Sequence, residues 1–174
     1  MDQISAAAPS GRLRSESADE TRDIGRRLGE AATPGTMLAL RGPLGAGKTQ
    51  LAKGVAEGLG VTTMVNSPTF VLMNEHAGRL RLYHVDAYRL GAPDEALDDG
   101  LLDDRQVSGV TVLEWADRLS GLLPAERLEI EIQPAPGAPS ARVLRWESHG
   151  SWHAELGHRV LGPQELEAGS ATGS

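Results

Sequence analysis

Thr36-Met37-Leu38-Ala39-Leu40-Arg41-Gly42-Pro43-Leu44-Gly45-Ala46-Gly47-Lys48-Thr49 is the stretch on which the fold turns. Thr36 to Arg41 is a short apolar run, the pattern of a buried strand. Gly42 to Thr49 fits Gly-x4-Gly-Lys-[Ser/Thr]. From Lys48 to about Leu59, the residues Leu51, Val55 and Leu59 recur at helical spacing. Strand, glycine loop and helix, in that order, are the context in which this motif holds phosphates. Glycines let the backbone turn tightly and aim successive N–H groups at phosphate oxygens. The helix N-terminus adds free donors and the positive end of a dipole. Lys48 supplies a cation for the β- and γ-phosphates, and Thr49 a hydroxyl for Mg²⁺. Gly42, Pro43, Leu44, Gly45, Ala46, Gly47, Lys48 and Thr49 are therefore the expected cradle of a nucleoside triphosphate. The bland alternative is an ordinary glycine-rich strand-to-helix turn. Composition disfavours it, because lysine occurs only at positions 48 and 53 among 17 basic residues. Lys53, one turn further on, reads as a solvated helix residue.

Outward from this stretch, Ser17-Ala18-Asp19-Glu20 has capping-box spacing and predicts a helix from residue 17 to about 32, with Ile24 and Leu28 inward. Thr33-Pro34-Gly35 ends it. Residues 1–16, rich in Ala, Ser and Gly, read as a flexible arm. Downstream, Phe70 to Glu75 and Leu80 to Asp86 read as a hairpin turning at Ala77-Gly78. Pro93 to about Arg105 reads as acidic helix, Gly109 to Glu114 as a buried strand, and Arg127 to Gln133 as a half-exposed one. Pro134 to Ser140 is expected to be a loop and Arg142 to Glu147 a last paired strand. The expected fold class is α/β, P-loop NTPase-like, with a mixed, partly parallel central sheet flanked by helices. The expected organisation is one P-loop ATPase domain over residues 17–160, with the arm before it and a disordered tail over 161–174.

The chain has 174 residues, a natural size for a single core, and a formal net charge of −7. That charge argues against strong nucleic-acid binding by this chain alone, DNA included, since phosphate neutralisation needs clustered Lys and Arg. No apolar run approaches the ~20 residues that span a bilayer. The N-terminal residues lack an apolar signal core, so a cytoplasmic protein without membrane contact is expected. The absence of cysteine excludes disulfides, thiolate catalysis and cysteine-ligated zinc.

A phosphate loop needs an acid at the end of a neighbouring strand to complete the surroundings of Mg²⁺. Two residues qualify. Glu114 closes the apolar run Val110-Thr111-Val112-Leu113, and Asp86 closes the alternating run Leu80 to Val85. Either could bind the metal directly, bind it through water, or orient the attacking water; Asp86 is the first choice for the water. Each could instead cap a strand or pair with Arg89 or Arg118. Thr69, in the turn Ser67-Pro68-Thr69-Phe70, is a candidate γ-phosphate switch, and a turn residue bonding its own backbone is the equal alternative. His84 reads as a packed core histidine and Trp115 as a core aromatic, the alternative for Trp115 being a place near the nucleotide or at a partner surface. The remaining histidines lack metal-ligand spacing.

Signatures of other phosphate-loop classes are absent. There is no Asn-Lys-x-Asp for guanine, and Leu119-Ser120-Gly121 only echoes a transporter-ATPase signature. A small-molecule kinase would want an Arg-rich lid, whereas Arg105 and Arg118 stand isolated. Four ordered motifs together resemble one family. These are the loop Gly42 to Thr49, the turn Asn66-Ser67-Pro68-Thr69-Phe70, the strand end Tyr83-His84-Val85-Asp86-Ala87-Tyr88-Arg89-Leu90, and Leu113-Glu114-Trp115. They resemble the TsaE (YjeE) family of bacterial tRNA threonylcarbamoyladenosine biosynthesis ATPases, over roughly residues 17 to 133. The resemblance implies binding of ATP and Mg²⁺ and slow hydrolysis by the chain alone. It implies joining the TsaB and TsaD proteins, with tRNA adenosine 37 reached only indirectly through that complex. By motif match it places Lys48 and Thr49 at phosphate and Mg²⁺, Asp86 and Glu114 near the metal and attacking water, and Thr69 in the switch-like turn. Pro43 departs from the family, which usually has an acidic residue there. The readings that compete with this one are a small-molecule kinase and a nucleotide-gated binding module without useful hydrolysis.

Overall fold

The computed structural model describes residues 8–66, 72–88, 90, 104–119 and 121–162. Seven strands form one sheet. They are β1 (Ser10–Ser15), β2 (Met37–Arg41), β3 (Met73–His76), β4 (Leu82–Asp86), β5 (Val110–Glu114), β6 (Arg127–Ala135) and β7 (Ala138–His149). The helices are α1 (Ala18–Ala31), α2 (Lys48–Gly58) and α3 (Ser151–Leu161). Short 3₁₀ turns occupy Asp104–Ser108 and Ala116–Leu119. The spatial order is β1-β7-β6-β2-β5-β4-β3. β6, β2, β5 and β4 run parallel, and the remaining pairings are antiparallel. This is the mixed, partly parallel α/β sheet of the P-loop NTPase-like fold.

β2 lies between two parallel neighbours and is covered on both faces, which is why Met37 to Leu40 is a continuous apolar run. Leu38 and Leu40 pack with Val110, Val112, Leu128 and Ile130 beneath the helices. Met37 and Ala39 face the opposite side, with Val85, Leu113 and Leu119. α1 begins as its sequence directs. Ser17 Oγ accepts from the Glu20 N–H at 3.1 Å, and the Glu20 carboxylate accepts from the Glu16 N–H at 2.6 Å. The second bond falls one residue earlier than a standard capping box would place it.

Three expectations are corrected. Residues 10–15, assigned to a flexible arm, form β1. They pair with β7 in register from Ser10↔Glu147 to Ser15↔Arg142, and Gly11 lets the Trp146 indole lie against the strand. Pro134 to Ser140 is not a loop, because β6 and β7 meet in a tight hairpin at Pro136-Gly137, with Gly137 at φ 71°. β7 therefore reaches from 138 to 149, well beyond the expected 142–147. The helix α3 was not anticipated; its Leu156, Val160 and Leu161 join the main core. Most of the expected acidic helix, the turn containing Thr69, Arg89 and the chain after residue 162 lie outside the described residues. Among the described residues, no helix is long and apolar enough to cross a membrane.

α1 and α2 touch backbone to backbone. A methyl at Gly25 would sit 2.2 Å from Leu51 O, one at Gly29 2.2 Å from Val55 O, and one at Gly54 1.9 Å from Arg22 O. None of these is contact a side chain can relieve. Gly54→Ala is therefore expected to lower stability by about 2–3 kcal/mol and the melting temperature by roughly 5–10 °C. Gly121→Ala is the control, because nothing lies within 4 Å of the added methyl. Equal melting temperatures for the two variants would refute the close-packing account.

Candidate functional site

The glycine loop joins the C-terminal end of β2 to the first turn of α2. Gly42, Gly45 and Gly47 have φ of 144°, 77° and 111°. A Cβ at Gly42 would also meet Ile132 O at 2.2 Å, so both backbone angle and space demand glycine there. The Ala46 N–H donates to Pro43 O at 3.1 Å, closing the turn, and the Leu51 N–H donates to Gly47 O at 3.0 Å as the helix begins.

Parallel pairing brings the two candidate acids to the same edge of the sheet. Asp86 and Glu114 are register partners at the ends of β4 and β5, and Leu40 pairs with Glu114 from β2. Glu114 is 2% exposed. Its Oε1 accepts from Thr49 Oγ1 at 2.9 Å, and its Oε2 accepts from His84 Nε2 at 2.6 Å. Asp86 is half-buried, and its Oδ1 accepts from the Tyr88 N–H at 2.9 Å. Glu114 is thus the acid in hydrogen-bond contact with the loop threonine, and Asp86 stands beside it.

Lys48 is buried, and its Nζ donates to Gly42 O at 2.6 Å and Pro43 O at 2.9 Å. Burial lowers the pKa of its ammonium, against the pull of Glu114, Asp117 and Asp86. The Trp115 ring covers this ammonium, with Nζ 3.9 Å from the centroid. Trp115 reaches that position from a left-handed backbone, φ 58°, that aromatic residues seldom adopt. Tyr88 packs against it with centroids 4.8 Å apart, and the Arg118 guanidinium lies 5.6 Å from the Tyr88 ring. Loop, acids and aromatics enclose a cleft of about 420 Å³.

A third element reaches the loop. Arg142 of β7 donates from Nε to Ala46 O at 2.9 Å and from Nη2 to Gly45 O at 3.3 Å. It ties down two of the loop's carbonyls.

The donor set near Thr49 consists of hydroxyl and carboxylate oxygens, the hard ligands Mg²⁺ prefers. No cluster of three or more His, Cys, Asp or Glu side chains among the described residues could hold an ion unaided. Mg²⁺ at such sites ordinarily relies on one or two carboxylates plus phosphate oxygens, so the residues present fit a nucleotide-borne ion.

The structure brings together Lys48, Thr49, Asp86 and Glu114; Thr69 lies outside the described residues. Two residues at the candidate site were not foreseen, and a third was foreseen only as an alternative. Trp115, read as a core aromatic, is only half-buried and lines the cleft. His84, read as packing, bonds Glu114. Its place two residues before Asp86, on the same strand face, was a usable signal. Arg142 carried no local signal, because its approach depends on the β6–β7 hairpin.

The sequence model of the family described as threonylcarbamoyl adenosine biosynthesis protein TsaE matches residues 15–142. The chain belongs to the TsaE family. The tRNA threonylcarbamoyladenosine biosynthesis protein TsaE of Bacillus subtilis is 48% identical over 118 residues, covering 67% of this chain and 73% of that one. Its counterpart in Streptomyces coelicolor is 41% identical over 125 residues, covering 70% and 84%. The crystal structure of YdiB from Bacillus subtilis superposes with a TM-score of 0.74 at 34% identity, covering 90% of this chain and 97% of that chain. The TsaE resemblance drawn from four short motifs thus holds over most of the chain.

Proposed function

We propose that this TsaE-family chain binds Mg-ATP at Gly42 to Thr49 and hydrolyses it slowly by itself. With TsaB and TsaD it supports threonylcarbamoyl modification of tRNA adenosine 37. The observation that carries this reading is the Thr49–Glu114 hydrogen bond at the mouth of the loop. It sets a metal-ligating hydroxyl and a buried carboxylate side by side, next to the Lys48 ammonium. The loop N–H groups and Lys48 take up charge developing on the transferred phosphoryl group. Mg²⁺ entering with the nucleotide would have Thr49 and Glu114 beside it and would supply further neutralisation of phosphate charge. Glu114 orients the Thr49 hydroxyl, and Asp86 at the cleft edge positions water. The half-buried Trp115 and exposed Tyr88 shield the phosphate side from bulk solvent.

The nucleoside has room on the other flank of the loop. A smaller cleft of about 210 Å³ opens there between Thr21, Gln50, Ser140 and Arg142. Because Arg142 borders this cleft and also holds two loop carbonyls, Arg142→Ala is expected to weaken ATP binding about tenfold, allowing for the half-exposure of the guanidinium. Titration calorimetry of the two proteins checks this, and equal affinities would remove Arg142 from the site.

The test of the function as a whole is phosphate release from Mg-ATP with and without purified TsaB and TsaD. Stimulation by the pair supports the proposal. ATP binding without any partner effect would sink the assembly claim, and no ATP binding would sink the site itself.

A further inference from the structure

We infer that His84 is a positioning residue for this site: a buried imidazole that pins one oxygen of Glu114 and thereby fixes where the other points. The inference rests on the reading of Glu114 as the acid beside the nucleotide.

His84 is fully buried on β4, between the buried Tyr83 and Val85 along the strand, with Val112 of β5 and Asn74 of β3 as its register partners. A polar ring in such a place costs free energy unless it is hydrogen-bonded. Its Nε2 lies 2.6 Å from Glu114 Oε2, while Nδ1 is buried without a partner. That asymmetry selects the tautomer. The Nε2–H donates to the carboxylate, and Nδ1 keeps its lone pair, so no buried N–H is left unsatisfied.

The last torsion of a glutamate is soft and nearly two-fold, so an untethered carboxylate exchanges its oxygens freely. Holding Oε2 removes that freedom. Oε1 then faces Thr49 and the cleft whether or not the threonine hydroxyl keeps its present bond. The geometry divides the labour within one carboxylate: Oε2 is structural, and Oε1 is available to the site. His84 does not itself line the cleft, and its hydrogen bond to Glu114, which does, is the route by which it acts on the site. Supporting residues of this kind govern how well a metal-side ligand is oriented.

The test compares wild type, His84→Leu and His84→Gln, each as the full chain. ADP and ATP affinities are measured by titration calorimetry without Mg²⁺ and with saturating Mg²⁺, beside phosphate release and thermal melting. Phosphate binding by the loop does not involve Glu114, so Mg²⁺-free affinity is expected to stay within twofold of wild type in both variants. The gain in affinity on adding Mg²⁺, and the rate of phosphate release, are expected to fall about tenfold in His84→Leu. His84→Gln, whose side-chain amide N–H reaches the same oxygen, is expected to recover most of both. The inference is overturned if His84→Leu keeps the wild-type Mg²⁺ gain. It is equally overturned if His84→Gln is as defective as His84→Leu, or if Mg²⁺-free affinity falls in step with melting temperature, since both outcomes mean packing alone. Failure of wild type to bind nucleotide at all would show in the first column of measurements, and would strike the reading of the loop rather than the role of His84 within it.

Discussion

Lys48→Ala is expected to reduce phosphate release from Mg-ATP by roughly 100- to 1,000-fold, the scale on which a preorganised group that stabilises charge in the transition state contributes. The loop holds this ammonium in readiness. It is 5% exposed, bonded to Gly42 O and Pro43 O, and roofed by Trp115. Triphosphate oxygens are stronger acceptors than those carbonyls, so the ammonium can exchange partners without first being stripped of water. Alanine removes the cation and leaves two carbonyls facing the phosphates. Arginine is no substitute, since its planar fork needs more space than a site shaped around a compact ammonium offers. Steady-state phosphate release, with a melting curve to show that the variant is folded, checks the expectation. A folded variant within threefold of wild type would mean that the loop is not a phosphate site.

The second large effect is expected at Glu114. Glu114→Gln keeps the shape and removes the charge. ATP affinity should change by only a few fold while phosphate release falls about 100-fold, the lower end of what one preorganised electrostatic group in a site is worth. Asp86→Asn should differ in kind. Asp86 is half-exposed and anchored by the Tyr88 N–H, so its loss should affect turnover less and leave the Thr49 contact in place. Equal, small effects of both substitutions on turnover would leave the catalytic role with neither acid.

What could be read in advance followed from local chemistry. The loop, its two flanking elements and the strands that end in acid each announce themselves within ten residues or so, because glycine, lysine and a run of β-branched or aliphatic side chains have local physical consequences. The elements that escaped depend on distant partners. Ser10 to Ser15 carries two arginines and a glycine and looks like a tail until β7 is there to pair with it. Pro134, Pro136 and Pro139 suggest a loop, yet the hairpin tolerates them near its turn. α3 has only a modest apolar stripe, and its docking depends on Trp146 arriving from β7 against Gly157. The site divides in the same way. The loop residues were legible from their motif, whereas His84, Trp115 and Arg142 acquire their places through strand register and hairpin geometry.

The glycine contacts between α1 and α2 bear on how this molecule can move. Helices separated by a layer of side chains can slide, because rotamers take up the slack. Here the backbones touch, so the pair behaves as one stiff strut with no cushion between its members. Lys48 and Thr49 stand at one end of that strut. Ser15 Oγ, 2.7 Å from Thr21 Oγ1, links its other member to β1. Any shift of the loop end must therefore drag both helices and pull on the sheet's outer edge.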